Sequence, residues 1–152
     1  MAKRLRQDKK PSFASFVEAS KKAPRLASDP SSYYDAHPAW RVIRMEFCDP
    51  YGWHQVDAET LLFIREKLGE LEKLTWKEVL KPGSGSHPMP TKELCKEARD
   101  RLVELEIDEA DNLVSIRLQQ KMRVWGYMDQ GILNLLWWDP EHSVYPMNIA
   151  NN

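Results

Sequence analysis

The chain has 152 residues, 42% of them hydrophobic and 30% charged, with a net charge of −1. That length fits one domain and buries about two-thirds of the unfolded surface, so folding requires neither a disulfide nor a metal. The near-neutral balance gives no global attraction to nucleic acid or membrane. No stretch approaches the roughly 18–20 apolar residues of a membrane span. Cys48 and Cys95 lack a CxxC spacing and suit free thiols in a reducing compartment.

The charge is unevenly spread. In residues 1–25, eight Lys/Arg against Asp8 and Glu18 give +6, so with a total of −1 the remainder carries −7. Residues 1–39 read as a basic, largely disordered arm. It contains a short amphipathic stretch through Phe13, Phe16 and Val17 and is interrupted by Pro24, Pro30 and Pro38. Such an arm either attracts phosphate in a salt-dependent way or serves as a solubilising tail. Its charge is not followed by the apolar core of a signal peptide, so the expected location is cytoplasmic.

Trp40–Phe47 has the β-branched and aromatic content of a strand, and Asp49-Pro50 and Gly52 then mark turns. Asp57 is placed to cap a helix over "AETLLFIREKLGELEKL", with Leu61, Leu62, Ile64, Leu68 and Leu71 at helical spacing. Thr75 and Glu78 form a capping box opening a short helix. "KPGSGSHPMP", with His87, reads as a flexible loop between helices. Thr91 is the expected cap of "KELCKEARDRLVELEI", whose Leu94, Ala98, Leu102 and Leu105 share a face.

Three short strands follow: residues 113–118, 123–128 and 132–139. The last is apolar almost throughout, as in a central strand covered on both faces. The expected fold class is α+β. One N-terminal strand joins a C-terminal three-strand meander in an antiparallel sheet, beside the last strand, and two main helices pack on one face. This single domain spans residues 40–147, and residues 148–152 form a disordered tail.

The order strand, helix, helix, three strands resembles the RelE/ParE toxin superfamily, whose members include ribosome-associated mRNA endonucleases. The residues that carry the likeness are "SIRL" with Arg117, "QQK" with Lys121, "RVWGY" with Arg123, and "DPEHSVYP" with His142 and Tyr145. The likeness covers residues 40–147, and its specific part residues 113–146. It implies a RelE-like fold and an RNA-cleaving toxin acting on RNA or on mRNA at the ribosome. It also implies a neutralising partner protein, no cofactor, and no membrane. Two departures stand beside it, the acidic body and the added arm.

The residues themselves permit that chemistry. RNA cleavage by its own 2′-hydroxyl needs a base, a cation for the developing phosphate charge, and an acid for the leaving oxygen. His142 has the intrinsic pKa for acid or base work; its neighbours Asp139 and Glu141 either favour the acid's role or belong to a plain Asp-Pro turn with a surface histidine. Arg117 and Arg123, six residues apart across a hairpin, are expected cross-strand neighbours. They would hold phosphate oxygens bidentately, with Lys121 in the turn between them as a point charge. Tyr127 shares a strand face with Arg123, and Tyr145 would stack on a splayed base. The assignment is therefore catalytic for His142, Arg123 and Lys121, and substrate-binding for Arg117, Tyr127 and Tyr145. A metal site from Cys95, His87 and a second histidine is rejected because the usual short ligand spacings are missing.

The competing reading is a non-catalytic interaction module. It uses the Trp-rich last strand and the acidic "DPEH" turn to bind a protein, and treats the arginines as ordinary solvated charge. Trp137 and Trp138 point to opposite faces, so one of them would be exposed if only one face carried a helix. The feature that separates the two readings is whether Arg117, Lys121 and Arg123 are paired with carboxylates.

Overall fold

The computed structural model describes residues 33–146. The expectations for the arm's first 32 residues and for the tail 148–152 lie outside the described residues. Tyr33–Pro38 already contact the body. Tyr33 and Tyr34 pack on its core, and the Tyr34 and Ala36 carbonyls accept the backbone N–H groups of Lys77 and Trp76.

Five strands and three α-helices follow: β1 (Ala39–Arg41), α1 (Ala58–Leu71), α2 (Trp76–Val79), β2 (His87–Pro90), α3 (Lys96–Glu104), β3 (Asn112–Gln119), β4 (Met122–Asp129) and β5 (Ile132–Asp139). The sheet order is β1-β5-β4-β3-β2. β1 runs parallel to β5, and the other neighbours are antiparallel. The first strand joins beside the last as expected, but parallel to it and not antiparallel, and it is only three residues long. The chain beyond it still tracks β5. Glu46 donates its backbone N–H to the Leu136 carbonyl, and Trp138 donates to the Tyr51 carbonyl.

Local chemistry accounts for most of these elements. The Asp57 carboxylate accepts the Thr60 N–H at 2.7 Å and starts α1. The Thr75 hydroxyl accepts the Glu78 N–H at 3.3 Å and starts α2. Thr91 does not cap α3. Its hydroxyl donates to the Ala110 and Asp111 carbonyls, and α3 begins after Cys95. The β4–β5 hairpin turns through Gln130 and Gly131, both at positive φ (51° and 82°). This is the combination a two-residue hairpin matching strand twist requires.

Two further expectations are corrected. The "GSGSHPMP" segment is not simply a loop, because its last four residues are β2, paired to β3. Pro88 and Pro90 disguise it, since proline cannot donate within a ladder and survives only at a sheet edge, where β2 lies. The two main helices also do not share a face. α1 and α2 cover one face, with Ile64, Leu68 and Trp76 against Val114, Ile116, Val124 and Trp138. α3 covers the other, with Ala98 and Leu102 against Leu113, Trp125, Leu136 and Trp137. The physical reason lies in β5, where seven of eight residues are buried. Such a strand leaves neither face to water, so each face needs a cover.

A bulge sets what the two faces carry. Trp125 pairs with Trp137 and Gly126 with Leu135, which leaves Leu136 unpaired. Leu136 and Trp137 therefore both enter the core under α3, while Leu135 and Trp138 enter the other. The extra residue also reverses the parity of the strand's end and brings Asp139 opposite Arg123.

Candidate functional site: a cationic cleft at the end of the sheet

On the α3 side, successive cross-strand rows change character along the sheet. Ser115, Trp125 and Trp137 form one row, and Arg117, Arg123 and Asp139 form the next. The first is fully buried, whereas in the second Arg117 is exposed and Arg123 half-buried. Beyond that row lie the Gln120–Lys121 turn on one side and the residues after β5 on the other. Together they form a cleft of about 670 Å³ whose lining includes Arg117, Gln120, Lys121, Arg123, Glu141 and His142, with Ser143 and Pro146. Four of the six expected site residues (Arg117, Lys121, Arg123 and His142) thus meet in one cleft.

The other two do not line it. Tyr127 lies on the same face but two rows back, half-buried against the α3 core, roughly 13 Å from Arg123 along the strand. Tyr145 is also half-buried there and meets the His142 ring edge-on, with centroids 6.4 Å apart.

Each cleft residue is held by identifiable contacts. Ser86 accepts the Arg117 backbone N–H at 2.9 Å. The Arg117 side-chain stem lies on Gly85, where an added Cβ would come within 2.5 Å of Arg117 Cδ and where φ is +82°. A glycine there both makes the turn and leaves room for the arginine. Arg123 Nη1 donates to the Gln120 carbonyl at 2.5 Å and to the Met122 carbonyl at 3.2 Å. These bonds fold the guanidinium back over the turn. Its Nε is buried with no hydrogen-bond partner, and burial followed by the neighbouring Arg117 charge lowers its pKa.

The acidic neighbours behave differently from one another. Asp139 is not a partner for His142. It is 0% exposed, and its carboxylate accepts from the Ser143 N–H and hydroxyl, the Val144 N–H, and Trp125 Nε1, at 2.8–3.1 Å. Four donors hold the turn in which His142 adopts φ 59°, a left-handed conformation costly for most side chains. Glu141 is exposed and lines the cleft. Among the described residues, neither Arg117, Lys121 nor Arg123 forms an ion pair with a carboxylate.

The other polar cluster has no such spare capacity. Buried Glu46 accepts from Trp137 Nε1 and from Arg101, which also bonds Glu104 and the Cys48 thiol. It ties the segment after β1 to α3. The Tyr51 hydroxyl beside Cys95 is pushed well above the phenol range, first by burial and then by that thiol contact.

Trp137 and Trp138 are 0% and 4% exposed, one in each core, so neither indole is presented to a partner. Among the described residues, no group of three or more His, Cys, Asp or Glu is arranged to hold a metal. No helix there is long and apolar enough to cross a membrane.

Compared with protein-family models, curated proteins and solved structures, the chain matches none.

Sequence reasoning missed Gly85, Ser86 and Gln120; of its two readings of Asp139, a partner of His142 or a plain turn residue, the structure shows the turn. The "GSGS" run carried a signal, since consecutive Gly/Ser positions permit the close approach that Arg117 needs. Nothing in "DPEH" distinguishes an acid that caps a turn from one that faces the cleft.

Proposed function

We propose that the cleft binds a phosphate group of RNA and supports acid/base cleavage of the chain without a cofactor. The observation that carries this is the meeting of Arg117, Lys121, Arg123 and His142 around one cleft, with none of the three cations held in an ion pair among the described residues. Unpaired guanidiniums are a standing demand for an anion with several acceptor oxygens. A basic cleft against an acidic body also gives local attraction where net charge gives none.

In the proposed reaction, Arg117 and Arg123 hold the non-bridging oxygens, and Lys121 stabilises the charge that grows on them. The Glu141 carboxylate accepts the 2′-hydroxyl proton, O2′ bonds to phosphorus, and the phosphorus–O5′ bond breaks. His142, as imidazolium, gives its proton to O5′. The products are a 2′,3′-cyclic phosphate and a 5′-hydroxyl, and no co-reactant is consumed. In cells this reading describes a RelE-like toxin, with RNA or ribosome-bound mRNA as target and a neutralising protein as partner.

The test is single-stranded RNA incubated with purified protein in the presence of a chelator, with products resolved by end chemistry. His142→Asn is the informative variant, because asparagine tolerates the left-handed backbone of this turn. The expected result is cyclic-phosphate ends from the wild type and about 10²–10⁴-fold slower cleavage by His142→Asn. Intact RNA with the wild type, or cleavage unchanged in the variant, overturns the catalytic reading. Induced expression adds a cellular arm, in which the wild type arrests growth and His142→Asn does not.

A further inference from the structure

The cations of the cleft are too close together to serve separate phosphates. Arg117 and Arg123 are direct cross-strand partners, so their Cα atoms lie about 4.5–5.5 Å apart. Lys121 sits in the two-residue turn that joins their strands. Against these three charges the cleft sets one carboxylate, Glu141, which leaves +2 before His142 is counted.

Two like charges directly opposite each other destabilise a sheet. The charge of Asp139 opposes this at Arg123 only in part, since burial and Arg117 still lower the Arg123 pKa. Among the described residues, no carboxylate forms an ion pair with either arginine. The third member of their row, Asp139, is turned toward its own backbone and Trp125. Arg123 Nε remains buried without an acceptor, while Nη1 is fixed on the Gln120 and Met122 carbonyls. A single group with two negative charges and several acceptor oxygens balances the +2 of the cleft lining. An internal phosphodiester carries one negative charge, whereas a terminal phosphate monoester carries ≈ −1.5 to −2 at neutral pH.

We infer that the cleft is matched to a phosphate dianion, so its preferred ligand is the terminal phosphate monoester of a single-stranded RNA rather than an internal diester. This rests on reading the cleft as a phosphate site, and it deepens that reading. The phosphorane formed during 2′-hydroxyl attack is also doubly charged, so a site built for a dianion favours the transition state over the bound diester. The 2′,3′-cyclic phosphate product is again a singly charged diester, so the same match does not hold it.

The test uses full-length protein and short 2′-O-methyl RNA oligonucleotides, which cannot be cleaved through the 2′-oxygen. One carries a 3′-phosphate, one a 5′-phosphate, and one hydroxyls at both ends. Titration calorimetry gives the dissociation constants, and inorganic phosphate serves as competitor. At least one phosphorylated end is expected to bind about tenfold or more tightly than the hydroxyl-ended strand, the effect of one further charge-assisted hydrogen bond. The stronger of the two identifies which end is the source. Arg117→Gln is expected to remove this preference, and free phosphate to displace the phosphorylated strand.

Equal or weaker binding of both phosphorylated strands overturns the inference, as does failure of phosphate to compete. Arg117→Lys, which keeps the charge but not the fork, checks that any loss in Arg117→Gln comes from the ligand contact. A preference unchanged in both variants overturns the inference. Cleavage is measured separately. A monoester preference without cleavage leaves this inference standing and removes the nuclease reading, whereas cleavage without the preference does the reverse.

Discussion

The two faces of the sheet share the same three central strands and finish differently. Under α1 and α2, the rows Val114–Gly126–Leu135 and Ile116–Val124–Trp138 are apolar in every side chain, and Leu118 continues that face. Under α3, the apolar rows stop at Trp125 and Trp137, and the next row is Arg117, Arg123 and Asp139. Helix length goes with the difference. α1 has 14 residues and α3 nine, or roughly 21 Å against roughly 13 Å at 1.5 Å per residue, under strands about 26 Å long. The long helix accompanies a face that is all core. The short one accompanies a face whose far end is left to charged groups and a cleft.

The largest effects expected on substitution should be shared by both faces. Trp137→Ala and Trp138→Ala, one in each core, should each cost about 3–5 kcal/mol, read by urea denaturation. A small loss for Trp137 alone would mean the α3 side is not a true second core.

The boundary between core and cleft comes next. Asp139→Ala strips the acceptor from Trp125 Nε1 and from the Ser143 and Val144 N–H groups. It should cost about 3 kcal/mol, since each buried unsatisfied donor costs about 1–3 kcal/mol. It should also weaken anion binding by loosening the turn that carries His142. An Asp139→Ala protein of unchanged stability would show that this carboxylate does not bind the two regions together.

The cation row should then behave in the opposite sense from the cores. Arg123→Met removes a buried unpartnered Nε and relieves the repulsion with Arg117, so stability should rise by about 1 kcal/mol while phosphate binding is lost. A gain of stability with loss of function marks a site kept for its ligand. A destabilised Arg123→Met that still binds phosphate would assign the arginine to the fold.

The smallest effect lies away from both regions, at the cap of α1. The Thr60 N–H holds the Asp57 carboxyl below its ordinary range. A depressed folded-state pKa contributes stability above the unfolded value, and that contribution disappears as pH falls through the folded one. Asp57→Asn should therefore flatten the acid limb of the stability curve below the ordinary carboxylate range. It should leave neutral-pH cleft binding unchanged.

The C-terminal half of the fold was legible because its signals are local. The three strands were read to within a residue at either end, and Asp57 and Thr75 cap as their spacing indicates. Opposing arginines could be read because hairpin spacing fixes which residues face each other. What escaped depends on distant partners. Pro88 and Pro90 argue against a strand until β3 supplies the edge on which prolines are tolerated. Amphipathic spacing shows that a helix has an apolar side but not which sheet face it covers. The near-continuous apolar run of β5 held that answer, because a strand buried on both sides requires two covers. The Leu136 bulge decides that Asp139 joins the arginine row, and no residue type announces it. Tyr127 was placed on the correct face, yet face alone says nothing about distance along the strand.

The central claim is that three unpaired cations and His142 form one anion site on the shorter-covered face. The most direct measurement is a ¹H–¹⁵N NMR titration of the full chain with a short 2′-O-methyl RNA bearing a terminal phosphate, following side-chain as well as backbone signals. The account predicts saturable shifts at Arg117, Arg123, Gln120–Lys121 and Glu141–Ser143, the residues that line the cleft. Signals from α1 and the Glu46–Arg101 cluster should stay fixed. Saturable binding that leaves Arg117 and Arg123 unmoved, or shifts centred on any other surface, would contradict it.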